Sequence, residues 1–141
     1  MVSRETKSSF ITFDPSRGYL KVTSKEVDEI TMEDARHDFQ QAGDMVNFQK
    51  TPVLADSRNY THFDHEIRDF YSSKEAAERI SAMAILINSI PTRLMGNFFI
   101  NFHKPHFPTR LFTSENEAIK WLLKHTDEYK NKQKQIKETS V

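Results

Sequence analysis

At 141 residues the chain is long enough to bury one hydrophobic core and too short for two, so it is predicted to form a single domain. It has no cysteine, which excludes disulfides, thiolate metal sites and cysteine nucleophiles and favours a reducing compartment such as the cytoplasm. Basic and acidic residues number 20 each, so no net charge attracts the chain to nucleic acid, and no apolar run is long enough to span a membrane.

The first part of the chain predicts an antiparallel hairpin followed by a helix. Two β-prone runs, Phe10–Phe13 and Tyr19–Val22, flank the loop Asp14–Gly18, whose proline and glycine are typical of a tight turn. Thr31 then precedes a segment, Met32–Val46, in which apolar residues recur at intervals of three and four. We expect this segment to be a capped helix with one apolar face.

The middle of the chain contains two short apolar runs. Pro52–Asp56 ends in an acid and is typical of a central strand that is buried on both faces. Asp64 is predicted to cap a second helix, since the spacing from Ile67 to Ala77 is helical. Ile80–Ile87 is either an extension of that helix or a second buried strand, because a short apolar run does not distinguish the two. We choose the strand, because it leaves every parallel crossover long enough.

A third helix is predicted to begin at Pro91 and to end before Pro105. Its apolar stripe is rich in phenylalanine, and the residues that define it are Leu94, Met95, Phe98, Phe99 and Phe102. Thr109–Phe112 is the last predicted strand.

The final helix is predicted from the capping box Ser114-Glu115-Asn116-Glu117, in which the serine and the second glutamate satisfy free backbone amides. Its buried stripe should consist of Ala118, Ile119, Leu122 and Leu123. Trp121 should be largely buried beside that stripe.

Together the elements predict an α/β domain with an N-terminal hairpin, followed by alternating helices and a largely parallel sheet of about five strands. The domain should cover residues 1–125. The remaining residues, 126–141, form a polar, lysine-rich tail that we expect to be mobile or a solvated helical extension.

The order of elements and two local patterns resemble STAS-like domains, the group typified by bacterial anti-sigma-factor antagonists. The patterns are Asp56-Ser57 after a central strand and the ending Phe112 to Leu122, a strand that finishes in phenylalanine before a capped helix with alanine and Trp-Leu. The resemblance covers about Ser8 to His125 and extends to an uncharacterised bacterial branch related to Sec14-type folds. It implies a non-catalytic regulatory or protein-interaction module with a protein partner of unknown identity, and it leaves a homodimer open.

In phosphoregulated antagonists of that group, a serine in an Asp-Ser-Ser-Gly motif after a central strand is phosphorylated to block partner binding. Here Ser57 follows Asp56, but Arg58 and Asn59 replace the second serine and the glycine, so an ordinary loop serine is the alternative. We place the partner-binding or switch site at Asp56, Ser57, Arg58 and Asn59, because open α/β sheets bind ligands where the strand order switches. Arg58 would grip a carboxylate or phosphate, or else pair with Asp56 or Glu66.

The phenylalanine-rich third helix offers a second site. Met95, Phe98, Phe99 and Phe102 either pack on the sheet as core or form a wall for an apolar small molecule or a docking surface for a protein. The alternative function is therefore a small carrier or sensor of a lipophilic ligand. A cavity of roughly 300 Å³ or more with an apolar lining would distinguish it.

Signatures of catalysis and of cofactor binding are weak in the sequence. His62, Asp64 and His65, and the pair His103 and His106, lack the helical spacing that places two imidazoles on one metal. There is no Gly-x-Ser-x-Gly motif, and three glycines do not make a phosphate-binding loop. We therefore predict no metal, no cofactor and no enzyme, with an activity based on Asp56 and the histidines as the remaining alternative.

Overall fold

The computed structural model describes residues 1–60, 62–89 and 105–125. These contain a six-stranded sheet whose strands lie side by side in chain order, and the strands are β1 Val2–Glu5, β2 Ser9–Asp14, β3 Tyr19–Ser24, β4 Thr51–Asp56, β5 Ile80–Leu86 and β6 Thr109–Phe112. The first three strands pair antiparallel and the last four pair parallel. The predicted α/β class with a largely parallel sheet is confirmed, with six strands rather than five.

The helices connect or follow the parallel strands. They are α1 Met32–Met45, α2 His65–Tyr71, α3 Lys74–Ala77 and a helix at residues 115–125, called α4 here. No helix of the described ranges has both the length and the apolar character needed to cross a membrane.

The predicted hairpin is confirmed and consists of β2 and β3. Its turn closes through the Asp14 carbonyl, which accepts hydrogen bonds from the backbone amides of Arg17 and Gly18, each at 3.0 Å. Gly18 has a φ of 80°, a conformation that a side chain would disfavour. The proline and glycine pattern therefore located this turn correctly.

The sixth strand, β1, was missed because its sequence lacks an apolar face. Val2–Glu5 pairs only with β2 at the edge of the sheet, and most of its side chains are exposed. An edge strand with solvent on its faces does not need the alternation of apolar and polar residues by which strands are recognised.

The assignment of Ile80–Ile87 to a strand is confirmed: β5 covers Ile80–Leu86 and lies parallel between β4 and β6. The single helix predicted after Asp64 is wrong, because it is divided into α2 and α3. The Ser73 hydroxyl accepts a hydrogen bond from the Ala76 amide and so caps a new helix, α3. The interruption turns the chain toward the start of β5.

The sheet is covered on both faces, and alternate residues of each strand point to opposite sides. On one side, the α1 face, Leu20 and Val53 pack with Phe39 and Ala42 of α1. The other side, the α4 face, contains a second cluster, whose buried members include Tyr19, Leu54, Ala84, Leu86, Ala118 and Leu122. Two separate cores therefore hold the sheet.

The final helix begins as predicted, with the Ser114 hydroxyl accepting from the Glu117 amide at 3.4 Å. Ala118 and Leu122 are fully buried, but Leu123 is 37% exposed, so its assignment to the buried stripe was wrong. Trp121 is partly rather than largely buried. The side of α4 that packs on the sheet is therefore narrower than its apolar residues alone suggest.

Two predictions lie outside the described residues. They are the helix from Pro91 with Met95, Phe98, Phe99 and Phe102, and the tail of residues 126–141.

Candidate functional site

The predicted switch residues lie at the carboxyl end of β4, where Asp56 and Arg58 form a two-point ion pair. Arg58 Nε lies 2.9 Å from Asp56 Oδ1, and Arg58 Nη2 lies 2.7 Å from Asp56 Oδ2. The Asp56 side chain is 5% exposed and that of Arg58 is 40% exposed. The planar guanidinium that was expected to grip a ligand is therefore already engaged by a carboxylate of the same chain.

Two further charges extend this pair across the α4 face. Glu115, at the start of α4, lies 2.7 Å from the Lys21 ammonium and 3.7 Å from Arg58 Nη2. We call Lys21, Asp56, Arg58 and Glu115 the strand-end cluster. Positive and negative side chains alternate within the cluster, so their ion pairs connect β3, the end of β4 and the start of α4.

The cluster also fixes the protonation state of its buried acid. Burial opposes ionisation of the Asp56 carboxyl, but the hydrogen bonds from Arg58 outweigh burial and hold its pKa below the ordinary value. The same hydrogen bonds raise the pKa of Arg58. Asp56 is therefore a carboxylate at neutral pH and is not suited to act as a proton donor.

Ser57 and Asn59 complete the predicted group and are also held by backbone contacts. The Ser57 amide donates to the Leu86 carbonyl at 2.9 Å, which continues the β4–β5 ladder, and the residue is only 7% exposed. Asn59 Nδ2 lies 3.3 Å from the Ser24 carbonyl. Because open sheets bind ligands where strand order reverses, the chain-order arrangement of these strands removes the reason for which this edge was chosen.

A cavity of about 400 Å³ lies between the sheet and helices α1 and α2, and we call it the α1–α2 cavity. Its lining is mainly apolar and includes Leu20, Val22, Ile30, Ala35, Phe39, Ala42, Val53, Ala55, Phe63, Ile67, Met83, Ile85, Ile87 and Leu111. Both the volume and the mainly apolar lining of the cavity are typical of pockets that bind small molecules.

The floor of the cavity is a row of neighbouring residues on three central strands. Val22 pairs with Ala55, and Ala55 pairs with Ile85, so the three side chains lie side by side on the α1 face. All three are partly exposed although they lie in the middle of the sheet. Apolar side chains in the middle of a sheet are normally covered by core packing. Their partial exposure therefore indicates a space that no core side chain fills.

Small side chains account for that space. Ala42 of α1 and Ala55 at the centre of β4 both pack against the core on the α1 face and line the cavity, and Ala35 of α1 lines it as well. Longer side chains at these positions would fill the gap between helix and sheet. Sequence reasoning missed the cavity because an alanine on an apolar stripe is equally typical of a closely packed helix.

The cavity extends along the whole length of the strands. Ser24 and Ser57 line it at the carboxyl ends of β3 and β4, whereas Gln49 and Arg79 line it near the opposite ends of β4 and β5. A strand of six residues such as β4 is about 20 Å long. The cavity is therefore elongated, and an elongated ligand would fit it best.

A buried carboxylate lies on the α1 side of the cavity. Asp38 is 7% exposed and accepts hydrogen bonds from the hydroxyls of Thr6, Ser8 and Ser9, the last at 2.8 Å. Burial raises the pKa of the Tyr71 hydroxyl, and the negative charge of Asp38 raises it further. Tyr71 is therefore a neutral phenol that lines the cavity.

Arg68 of α2 also lines the cavity, and its Nε atom is buried with no hydrogen-bond partner. In the ranges 1–60, 62–89 and 105–125 no ion pair includes this residue. Sequence reasoning did not single out Arg68, because a basic residue within a helix is ordinarily a solvated one.

The histidines of the described part do not form a metal centre with their neighbours. His62 lines the cavity, and His65 lies 3.2 Å from Asp69 one helical turn away. Across the described ranges no three His, Asp or Glu side chains are placed to share an ion. The predicted aromatic site, Met95, Phe98, Phe99 and Phe102, lies outside those ranges.

Comparisons with known proteins agree with the fold and give no activity. The family model described as "Domain of unknown function (DUF7793)" matches residues 13–126. No curated protein matches the chain. Among solved structures, an uncharacterised protein of the DUF3478 family with a SpoIIAA-like fold, from Shewanella loihica PV-4, is 15% identical over 86% of this chain and 90% of that one, with a TM-score of 0.57.

A second solved structure, a protein of unknown function from Arthrobacter sp. FB24, is 24% identical over 84% of this chain and 95% of that one, but its TM-score is 0.30. The SpoIIAA-like fold of the Shewanella structure supports the STAS-like resemblance at the level of fold.

Proposed function

This chain belongs to the DUF7793 family, and from its geometry we propose that it is a non-catalytic, STAS-like module that binds a small apolar molecule in the α1–α2 cavity. The observation that carries the proposal is the partly exposed floor of Val22, Ala55 and Ile85 in the middle of the sheet.

Physical chemistry favours an occupant of apolar character. Leaving apolar side chains in contact with water costs roughly 25 cal/mol for each Å² that a ligand would cover. The cavity floor belongs to three strands that are fixed by their ladders, so it exists before a ligand arrives. A preformed apolar site loses little conformational freedom when it binds, which favours affinity.

The test is a titration of the full chain with N-phenyl-1-naphthylamine, a neutral apolar dye that fluoresces in dry surroundings. We expect saturable binding at one site. Ala55→Leu and Ala42→Leu place extra carbons on the floor and on the helix wall, and each should weaken dye binding by at least about tenfold, a loss of about 1.4 kcal/mol.

Ile119→Ala is the matched control, because Ile119 is partly buried on the α4 face. It disturbs the opposite core and should leave dye affinity unchanged, so a general loss of packing is separated from a filled cavity. Absence of saturable binding to the native chain, or equal affinity of native and filled variants, would contradict the proposal.

A regulatory role through a protein partner is the second candidate, and the position of Ser57 favours it. Ser57 lines the cavity and directly precedes Arg58 of the strand-end cluster, which is partly exposed on the surface. A ligand that contacts Ser57 would therefore lie against the segment that holds the Asp56–Arg58 pair. In this arrangement the chain is a sensor whose exposed strand-end cluster binds a partner.

Arg58→Ala tests that second role. Once a partner has been captured with native protein, the variant should bind it at least about tenfold more weakly, because the exposed guanidinium is lost. Lys7→Ala is the control, since Lys7 is an exposed cation that is not a member of the strand-end cluster and lies 3.7 Å from Asp34 of α1. A partner that binds both variants equally would remove the strand-end cluster from consideration. Ser57→Glu is a poor test here, because it would bury a charge.

A further inference from the structure

Arg68 is distinguished from the other arginine that lines the α1–α2 cavity by its lack of partners. Arg79 donates to the Phe48 carbonyl at 2.9 Å and lies over the Phe48 ring. Arg68 Nε is buried and makes no hydrogen bond, and within the described residues the only other such side-chain atom is Ser81 Oγ. Its neighbours on α2, Ile67 and Tyr71, line the same cavity, so a partly exposed arginine with an unpaired, buried Nε borders an apolar space.

A guanidinium cannot relieve this situation by losing its proton, because it remains charged at every accessible pH. Its Nε and terminal N–H groups form a planar fork that matches the two oxygens of a carboxylate. An anion brought by a ligand would supply the partner that Arg68 Nε lacks among the described residues. Buried donors in native proteins are rarely unpaired, so an unpaired one beside a cavity indicates a missing acceptor.

The rest of the cavity limits the charge and shape of that ligand. Asp38 also lines the cavity and accepts hydrogen bonds from the hydroxyls of Thr6, Ser8 and Ser9, so a strongly charged anion would be brought close to a second acidic group. A singly charged carboxylate suits one guanidinium better than a phosphate, which carries up to two charges. The apolar floor then accommodates an uncharged aliphatic chain.

We propose that Arg68 binds the carboxylate of an aliphatic acid whose chain lies along the Val22, Ala55 and Ile85 floor. The inference rests on the proposed function, since it assigns a head-group contact to the same cavity. It makes Arg68 the specificity-determining residue, which separates an acid from a neutral molecule with the same chain.

The test compares decanoate with decan-1-ol, two probes that share a ten-carbon chain and differ in the head group. Affinities for the full-length chain are measured by displacement of N-phenyl-1-naphthylamine. Native protein should bind decanoate at least about tenfold more tightly than decan-1-ol. In Arg68→Met, which keeps the length and apolar character of the stem, that preference should vanish because only decanoate binding weakens.

Arg36→Met is the matched control, since Arg36 is an exposed arginine of α1 that does not line the cavity, and it should keep the native preference. Arg68→Lys keeps the charge but not the fork and should give an intermediate preference. Arg68→Met should also melt at or above the temperature of the native protein without ligand, because it removes an unpaired buried donor. A lower melting temperature would indicate an ordinary structural role for Arg68.

The outcomes separate the two proposals. If the dye does not bind saturably, the cavity proposal fails and this one with it. If the dye binds but decanoate does not displace it, the cavity proposal stands and the aliphatic-acid assignment is overturned. If both probes bind native protein with equal affinity and Arg68→Met changes neither, the cavity proposal stands and the assignment of Arg68 is overturned.

Discussion

Arg58 holds Asp56 by two parallel hydrogen bonds across one intervening residue, with the carboxylate almost wholly buried and the guanidinium partly in solvent. The Arg58 amide adds a third contact to Asp56 Oδ1 at 3.2 Å. A short loop therefore closes on itself at the end of a central strand. The pair fixes the loop that leaves β4, whatever role the strand-end cluster has in binding.

Arg58→Ala should destabilise the chain, because it removes the main partner of a buried carboxylate. We expect the free energy of unfolding to fall by about 1–2 kcal/mol, at the lower end for a charged hydrogen bond because water reaches the exposed side of the site. Urea denaturation measures the loss. Lys7→Ala, whose ion pair is long and exposed, should change stability by less than about 0.5 kcal/mol. Equal losses in the two variants would show that the Asp56–Arg58 pair contributes nothing specific.

The same pair predicts a pH dependence in the acid range. The pKa of Asp56 is lower in the folded chain than its ordinary value of 3.8, so its stabilising effect is fully present above that value. It is lost as the pH falls through the lower, folded-state pKa, where the carboxyl takes up a proton. Urea midpoints of native and Arg58→Ala proteins should therefore differ above pH 4 and converge below it. A difference that persists undiminished at low pH would contradict this assignment.

Most of the strands, helices and turns could be predicted from local patterns in the sequence. Thr31 caps α1 through a capping box with Asp34, and the buried run at β4 was recognisable because central parallel strands are apolar on both faces. The choice of a strand at Ile80–Ile87 came from crossover lengths rather than from propensity. Turns, caps and buried strands are set within a few residues, which is why one sequence sufficed.

The candidate site could not be predicted from local sequence patterns in the same way. The α1–α2 cavity depends on the distance between α1 and the sheet, which brings Ala42 near Ala55 although they come from different elements. Arg68 matters only because it lines the cavity and because, among the residues that the structure describes, its Nε has no acceptor. Asp38 lies within an amphipathic helix, and its burial follows from hydroxyls 29 or more residues away in sequence. Such features result from tertiary packing and leave no local pattern.

Trp121 offers an optical check on the α4 face, because it is the single tryptophan of the chain. Its ring lies 5.7 Å from that of Phe112 and 4.4 Å from that of His125, and one side is open to solvent. We expect iodide to quench its fluorescence with a Stern–Volmer constant below that of N-acetyltryptophanamide but clearly above zero. Complete protection from iodide would contradict the partial exposure of Trp121.

Asp38 should be the most sensitive acid of the described chain, because it connects the β1–β2 turn to α1. Thr6, Ser8 and Ser9 are each less than 9% exposed and direct their hydroxyls at this one carboxylate. Asp38→Ala leaves the buried hydroxyls of Ser8 and Ser9 without their acceptor, and leaves that of Thr6 only a 3.3 Å contact to the Ser9 carbonyl. We expect the free energy of unfolding to fall by about 2–4 kcal/mol, since each stranded polar group keeps its desolvation cost.

Asp44→Ala is the control for Asp38→Ala, because Asp44 lies on the same helix and pairs with Arg4 but is 56% exposed. Its loss should stay below about 1 kcal/mol, as is usual for a surface ion pair. Hydrogen exchange gives the local readout. Relative to the native protein, Asp38→Ala should lose more protection at the β1 amides that pair with β2 than at the amides of β4, because the β1–β2 turn no longer has its hydrogen bonds to α1. If β1 kept its protection and both variants lost equally little stability, the hydrogen bonds of the Asp38 carboxylate would contribute nothing to folding. The edge strand would then be stabilised only by its backbone hydrogen bonds to β2.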